Sequence, residues 1–538
     1  MLVNKLELLK SLNVGSYVAE NEPNLSDYFV ETNLWKKLIT DKVDIVRGPK
    51  GSGKSALLTE LRSSNSLDEN VQIVDAEEIK NESVFQKIFS SRAAANISAH
   101  ELQFLWRIYF CQLIGRVILG KNNDYRMLGE STKKFIDCLF KEGLLSENLV
   151  THTGLLRIFK TGFDYVMKHS KRSVKVNTGT VSGKIVFDVP SEYQQQQGYM
   201  YVGDLLQLAD DALREIKLTV WICLDRLDSA FEDVPKLENT VLKSLIKQYL
   251  DMRDFKNIRL KIFIRSDIWQ RITVDGFVEA THIARLEEVK WDTSSILYLI
   301  VSRISTSKII VEDFGKSILI PKVKRNNILN SEDLQKKLFY YVFPLKVDAQ
   351  PPFNKNVKKA DAINWIISRT SDATRIINPR NILYLIDQAK SIEIDKMERG
   401  HHMPVDGLME GKVIQEGLRE TSHYQLEQTL FAEYPKLKPK VELLKNSKAE
   451  MKLNVIKKKL RVNSKKGILE IVNALITRGF ISQANSSGYY EIPFIYRDAL
   501  NVKQGKDPLE RKVVMSKNRK KENKRTDDPN QLSLFLII

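Results

Sequence analysis

Eight consecutive residues carry the clearest chemistry: Gly48-Pro49-Lys50-Gly51-Ser52-Gly53-Lys54-Ser55 fits the spacing G-x-x-x-x-G-K-[ST]. The glycines let main-chain N–H groups curl around a phosphate without Cβ clashes. A helix that follows turns its positive end to the same anion. Lys54 is then placed to reach the β- and γ-phosphates of a nucleotide, and the Ser55 hydroxyl to complete a Mg²⁺ shell. ATP with Mg²⁺ is the expected ligand pair. Such a site needs a carboxylate at the end of a neighbouring strand, and the apolar run Leu218–Leu224 followed by Asp225, in VWICLDRLD, supplies it. Asp228, three residues on, either orients the attacking water or caps the next helix. Arg226 stands where many ATPases carry a catalytic acid, which argues against fast hydrolysis.

Two arginines complete the set. Arg265 follows a second largely apolar run, Leu260–Ile264, and in a parallel sheet such a position faces the ligand crevice. It is read as a γ-phosphate sensor, with a salt bridge to Asp267 or Asp228 as the alternative. Asn378-Pro379-Arg380-Asn381 opens a helix with Pro in its first turn, so Arg380 projects from the start of a lid helix, with Arg375 a weaker candidate for the same role.

The elements that must hold these groups follow from periodicity. Val43–Val46 reads as a buried strand before the Gly-rich loop, and Ala56–Leu61 as the helix after it. Residues 81–170 are helical in period, then Ser173–Val189 alternates and Gln194–Gln197 is low in complexity, read as a hairpin or mobile insertion. Helix Val202–Ile216, strand Leu218–Leu224, helix Lys236–Leu250 and strand Leu260–Ile264 then alternate, which indicates a parallel α/β sheet. After about 286 the pattern is helical through Ala389, interrupted by Phe343–Lys359. The expected division is a P-loop core over 1–285 with a helical insertion at about 81–200, a helical lid over 286–400, a winged-helix-like domain over 401–500, and a basic tail over 501–538.

Charge separates front from back. The chain has 84 basic and 67 acidic side chains, net +17, in 538 residues. Residues 435–470 carry net +9 and residues 501–538 net +5, so the other 464 residues carry only +3. The C-terminal stretch 449–462 reads as an amphipathic helix with a basic face, 468–480 as a second helix, and 481–496 as two short strands around Ser486-Ser487-Gly488. Helix, helix and β-ribbon are the parts of a winged helix, whose second helix enters the major groove. Lys457, Lys458, Lys459, Lys465, Lys466 and Arg478 would then meet DNA phosphates, unless the module only packs against protein. The tail ends in Gln531-Leu532-Ser533-Leu534-Phe535, which looks like the pentapeptide that engages the bacterial sliding clamp. Gln531, Leu532, Leu534 and Phe535 would dock, or the same residues form a strand folded onto their own domain or into a dimer.

GPKGSGKSAL, VWICLDRLD, LKIFIRSDIW and NPRNIL, in this order, together resemble prokaryotic AAA+/STAND-type P-loop ATPases, with the nearest likeness a bacterial group recognised by KGSGKSAL and LDRLD. YFVET (28–32), HIARLEEVKW (282–291) and EYP (433–435) look shared too. The resemblance implies an origin-recognition-like ATPase core, a helical lid and a C-terminal winged helix. It makes Lys54 and Ser55 nucleotide ligands, Asp225 the Mg²⁺ carboxylate, Arg265 the first sensor and Arg380 the second. It also implies a setting in anti-phage defence or DNA transactions. The overall reading is a DNA-associated ATPase whose ATP state controls lid closure and homo-oligomerisation, and in the scaffold alternative it recruits an effector encoded by a neighbouring gene. A scaffold that barely hydrolyses ATP and a clamp-tethered repair or replication factor are the competing classes.

Other functions find no support. Cys111, Cys138 and Cys223 lack paired spacing, and the seven histidines form no ligand pattern, so neither a disulfide framework nor a zinc site is expected. No apolar run approaches the ~18 residues of a membrane span, and the N-terminus is too charged for a secretory signal, so a cytoplasmic protein is expected. A nucleotide kinase would give Arg265 and the basic module no role.

Overall fold

The computed structural model describes residues 4–64, 66–76, 84–89, 97–122, 124–146, 154–169, 185–186, 200–227, 235–274, 277–348, 360–400, 404–484 and 488–507. The chain forms two compact units, one of Val18–Lys290 and one of Met1–Tyr17 with Trp291–Ile538. Residues up to Tyr17 therefore group with the C-terminal part of the chain and not with the core expected over 1–285.

The first unit is built on five parallel strands. In chain order they and two of their helices are β1 (Ile45–Gly48), α1 (Lys54–Ser63), β2 (Val71–Asp75), α2 (Ala99–Lys121), β3 (Thr219–Leu224), β4 (Ile258–Arg265) and β5 (Leu286–Glu288). The sheet order is β2-β3-β4-β1-β5, parallel throughout. β3 and β4 are buried on both faces, as their apolar runs require, while β2 and β5 are half-exposed edges.

α2 starts at a capping box in which Ser98 and Glu101 satisfy each other's backbone N–H groups. It is apolar on nearly every face and packs in one core with Phe135, Phe159, Leu213 and Leu245. By length and composition it is apolar enough to cross a membrane, contrary to the sequence reading, but 72% of its apolar window is buried inside the fold. The helical insertion thus supplies the middle of the core. Of the expected hairpin over 171–200, the described Ile185–Val186 pairs in parallel with Met200–Tyr201, which is not hairpin geometry. Gln194–Gln197 lie outside the described residues.

At the end of the sheet away from the Gly-rich loop sits a buried charge cluster. Lys261, on β4, has no solvent exposure. Its ammonium donates to Asp41 Oδ1 at 2.7 Å, Val43 O at 2.7 Å and Asp44 Oδ1 at 2.9 Å, and lies 4.3 Å from the Trp221 ring centre. Arg285 Nη2 reaches Asp41 Oδ1 at 2.7 Å, and Tyr249 donates to Asp44 Oδ2 at 3.2 Å. Asp41 and Asp44 precede β1, Lys261 lies in β4 and Arg285 precedes β5, so the cluster joins three adjacent strands.

The second unit contains α3 (Lys308–Ser317), α4 (Pro379–Glu398) and α5 (Gly411–Tyr424), the last continuing as π-helical turns through Gln425–Phe431. α4 and α5 cross tightly at Gly417, where a Cβ would lie 2.9 Å from Leu385 O. The N-terminal helix Lys5–Ser11 joins them: Lys5 Nζ donates to Pro404 O at 2.8 Å and Gly407 O at 3.1 Å, and Lys390 Nζ to Leu12 O at 2.6 Å.

Then follow β6 (Lys448–Lys452), α6 (Leu453–Lys459), α7 (Lys465–Thr477), β7 (Ser482–Gln483), β8 (Tyr489–Glu491) and β9 (Lys503–Lys506). The sheet order is β9-β6-β8-β7, with β8 antiparallel to β6 and β7, and β9 parallel to β6. The single helix expected over 449–462 is a correction: its first residues are strand. Ala449 and Met451 are buried between half-exposed Lys448, Glu450 and Lys452, a period of two that five residues hide within a helical reading. β9 likewise lies in the stretch taken as tail. Ser486, Ser487 and residues 508–538, including Gln531, Leu532, Leu534 and Phe535, lie outside the described residues.

Candidate nucleotide site

β1 ends at Gly48 and α1 begins at Lys54, so the loop expected to hold phosphate spans strand to helix as its chemistry requires. Gly51 (φ 79°) and Gly53 (φ 100°) are left-handed, a conformation that only glycine enters freely. At Gly48 the constraint is space: a Cβ there would stand 2.5 Å from Ser52 Oγ and 3.3 Å from Val289. Pro49, Lys50, Ser52 and the glycines therefore form a tight turn with the start of α1 beneath it.

Lys54 Nζ lies back over this turn, donating to Gly48 O at 2.9 Å and Pro49 O at 3.0 Å. Ser55 Oγ donates to Asp225 Oδ2 at 3.0 Å. This hydrogen bond joins residues 170 apart in sequence and puts a hydroxyl and a carboxylate beside the loop. A Mg²⁺ ion takes one or two protein oxygens and completes its octahedron with phosphate and water, so this pair fits it. Among the described residues no group of three or more His, Cys, Asp or Glu is placed to hold a metal.

Strand order explains the rest. β4 lies between β1 and the Asp225 strand β3, and Gly48 is in register with Arg265. Arg265 thus stands beside the loop at the carboxyl edge of the sheet. Its guanidinium is held by Asp267 in a bidentate pair, Nε to Oδ1 and Nη2 to Oδ2, both 3.0 Å, with 14% of the side chain exposed. To face a phosphate, Arg265 must exchange that carboxylate for the new anion. Arg226 follows Asp225 with φ 57° and is exposed. Asp228 lies outside the described residues.

In the second unit, Asn378 caps α4 by accepting from the Arg380 N–H at 3.1 Å, with Pro379 at the first helical position. Arg380 Nε is buried without a hydrogen bond among the described residues. Arg375 is exposed, with a left-handed backbone (φ 59°). Lys457, Lys458 and Lys459 form the last turn of α6, and exposed Lys465 and Lys466 open α7. Arg478 differs from these: it donates to Ala474 O at 3.0 Å and lies 4.8 Å over the Tyr434 ring, which commits it to packing.

Of the partners weighed for Arg265, Asp267 is the one the structure shows. Sequence reasoning missed two features. The carbonyl anchors of Lys54 leave no sequence signal. Lys261 was invisible because its carboxylates lie 217 and 220 residues away.

Loop, helix, all-parallel sheet and the Ser55–Asp225 hydrogen bond define the α/β core of a P-loop NTPase. No family model and no curated protein matches the sequence. Among solved structures, the chain is similar to a Walker-type ATPase of Pyrococcus abyssi, at 10% identity and TM-score 0.37, over 88% of this chain and 96% of that one. It is also similar to Cdc6p from Pyrobaculum aerophilum, at 10% identity and TM-score 0.26, over 93% and 97%.

Proposed function

We propose that this chain is a Mg²⁺-dependent ATPase of slow turnover whose nucleotide state controls its action on DNA. The Ser55–Asp225 hydrogen bond beside the Lys54 loop carries this reading, because it assembles the metal-side oxygens on the phosphate side of the sheet. On nucleotide binding, Lys54 leaves the Gly48 and Pro49 carbonyls for the β- and γ-phosphates, and the loop N–H groups hold the β-phosphate. Ser55 and Asp225 would hold Mg²⁺, which would supply charge neutralisation at the phosphate oxygens. Arg265 answers to the γ-phosphate, and that differential interaction shifts the conformational equilibrium. Arg226 supplies no base where an acid would speed hydrolysis, which favours a switch over a motor; a scaffold that binds ATP and recruits an effector is the second reading.

Asp225→Asn is expected to keep ATP affinity within a few-fold while Mg²⁺-dependent turnover falls by roughly 100-fold, the scale of the metal's contribution. Wild-type phosphate release from that variant would assign the metal to another carboxylate.

The strand–helix–helix–hairpin order of β6, α6, α7, β7 and β8 supports a winged helix. Lys457–Lys459, Lys465 and Lys466 are its phosphate-binding groups, so binding is sequence-independent and salt-sensitive. Charge reversal at Lys458 and Lys465 is expected to lower the slope of log affinity against log salt by about one for each phosphate no longer neutralised. An unchanged slope would make the module a protein-packing domain. Homo-oligomerisation, an effector protein, and docking of Gln531–Phe535 on a sliding clamp belong to the same proposal. Retention of wild-type and Phe535→Ala chains on immobilised clamp tests the last, and equal retention excludes it.

A further inference from the structure

One surface of the second unit is unexplained by folding. α3 ends in a Schellman turn: Leu319 N–H donates to Lys316 O at 3.2 Å and Ile320 N–H to Gly315 O at 2.8 Å. The residue after the cap in this motif must be left-handed and is usually glycine. Here it is Leu319, with φ 60° and 89% exposed, next to Ile320 at 47% and exposed Pro321. A leucine at this position strains the backbone and buries almost nothing, so stability does not account for it.

The surroundings are basic. Residues 314–331 hold four basic side chains, three asparagines and no acid, between the acidic pairs Glu312–Asp313 and Glu332–Asp333, of which Asp313 is engaged by Tyr341, Glu332 by Lys336 and Asp333 by Lys337. Lys316, Lys322 and Lys324 are exposed, and none forms an ion pair among the described residues. The exposed turn is therefore complementary to an anionic partner that accepts a protruding apolar group. Protein hot spots favour Trp, Tyr and Arg over Leu and Lys. Leu, Ile and Pro wedges flanked by Lys, Arg and Asn are instead the composition of minor-groove binders that unstack a base step.

We propose that the turn at Leu319–Ile320 is a second duplex-DNA contact, a minor-groove wedge flanked by Lys316, Lys322 and Lys324. It rests on the DNA reading above but uses none of the residues of α6 or α7. Wedging predicts that the chain kinks or unstacks DNA where the basic module alone would only hold it.

The test uses the full chain and a duplex with 2-aminopurine at its centre, whose fluorescence rises on unstacking. Leu319→Gly is the key variant, because glycine relieves the backbone and should melt at or above the wild-type temperature. It is expected to abolish the fluorescence rise and to weaken binding by about tenfold. Lys322→Glu should lower the salt slope by about one. A Leu319→Gly chain that keeps both the rise and the affinity overturns the wedge, as does a wild-type chain that binds duplex with no rise. Lys458→Glu with Lys465→Glu separates the two readings: it should weaken binding yet leave the rise at saturation. Failure of the full chain to bind duplex at all would remove the DNA reading itself, and an acidic protein bound through Leu319 would reassign the surface.

Discussion

Lys54→Ala is expected to lower ATP affinity by at least about 100-fold, because it deletes a charge-assisted hydrogen bond to phosphate in a partly enclosed loop. The native ammonium already sits within 3.0 Å of two loop carbonyls, so it needs only a rotamer change to meet the anion. The fold should survive the change. Gly48 O and Pro49 O lie in a part-buried turn, and water replaces the missing donor. Titration with a fluorescent ATP analogue reads the affinity, and a melting curve reads the fold. Unchanged affinity in a folded Lys54→Ala chain would remove the nucleotide reading. DNA binding by the same variant should remain near wild type, since the charge excess lies in residues 435–470 and 501–538.

The second large effect is on stability. Lys261→Met keeps the aliphatic stem but removes the fully buried cation shared by Asp41 and Asp44, leaving them the half-buried Arg285 and, for Asp41, Arg259. Removing one partner of a buried pair costs about 3–5 kcal/mol. For a unit of this size that lowers the melting temperature by on the order of 10 °C. A drop of only a degree or two would mean the cluster contributes little. Adding Asp44→Asn to the variant should recover part of the deficit.

The same cluster sets an acid limit. Burial alone would raise the Asp41 carboxyl, but Lys261 and Arg259 outweigh it and hold the group below its ordinary 3.8. A depressed carboxylate adds stability that is fully present above the unfolded pKa and is lost as the pH falls through the folded value. Asp41 therefore loses its stabilising contribution only as the pH falls below about 3.8, and in Lys261→Met, where its folded value rises toward the unfolded one, that acid-dependent loss should shrink.

What could be read from the residues, and what could not, has a physical pattern. The phosphate loop was legible because its glycines, lysine and serine are contiguous and the chemistry dictates their spacing. Asp225 was legible because β3 is buried on both faces and reads as an unbroken apolar run. β2 and β5 were missed for the opposite reason. Edge strands are half-solvated, so Gln72, Asp75, Glu287 and Glu288 interrupt them, and β5 has only three residues. β6 was hidden because its two buried residues are too few to separate period two from a helical face. Arg265 was placed at the correct edge of the sheet, but its tie to Asp267 depends on side-chain geometry that sequence order leaves open.

The N-terminal helix has a consequence for how the chain is made. Lys5 finds its carbonyl partner 399 residues later, at Pro404, and Lys390 reaches back 378 residues to Leu12. At ribosomal rates of about 5–20 residues per second, the first helix waits roughly 20–80 s for its packing partners. The whole of the first unit emerges in that interval and can close around its own sheet first. The second unit is thus a late assembly from segments on both sides of the first unit. A fragment beginning at residue 291 would be born without the helix that completes it, and supplying residues 1–17 as a separate peptide should restore its cooperative melting.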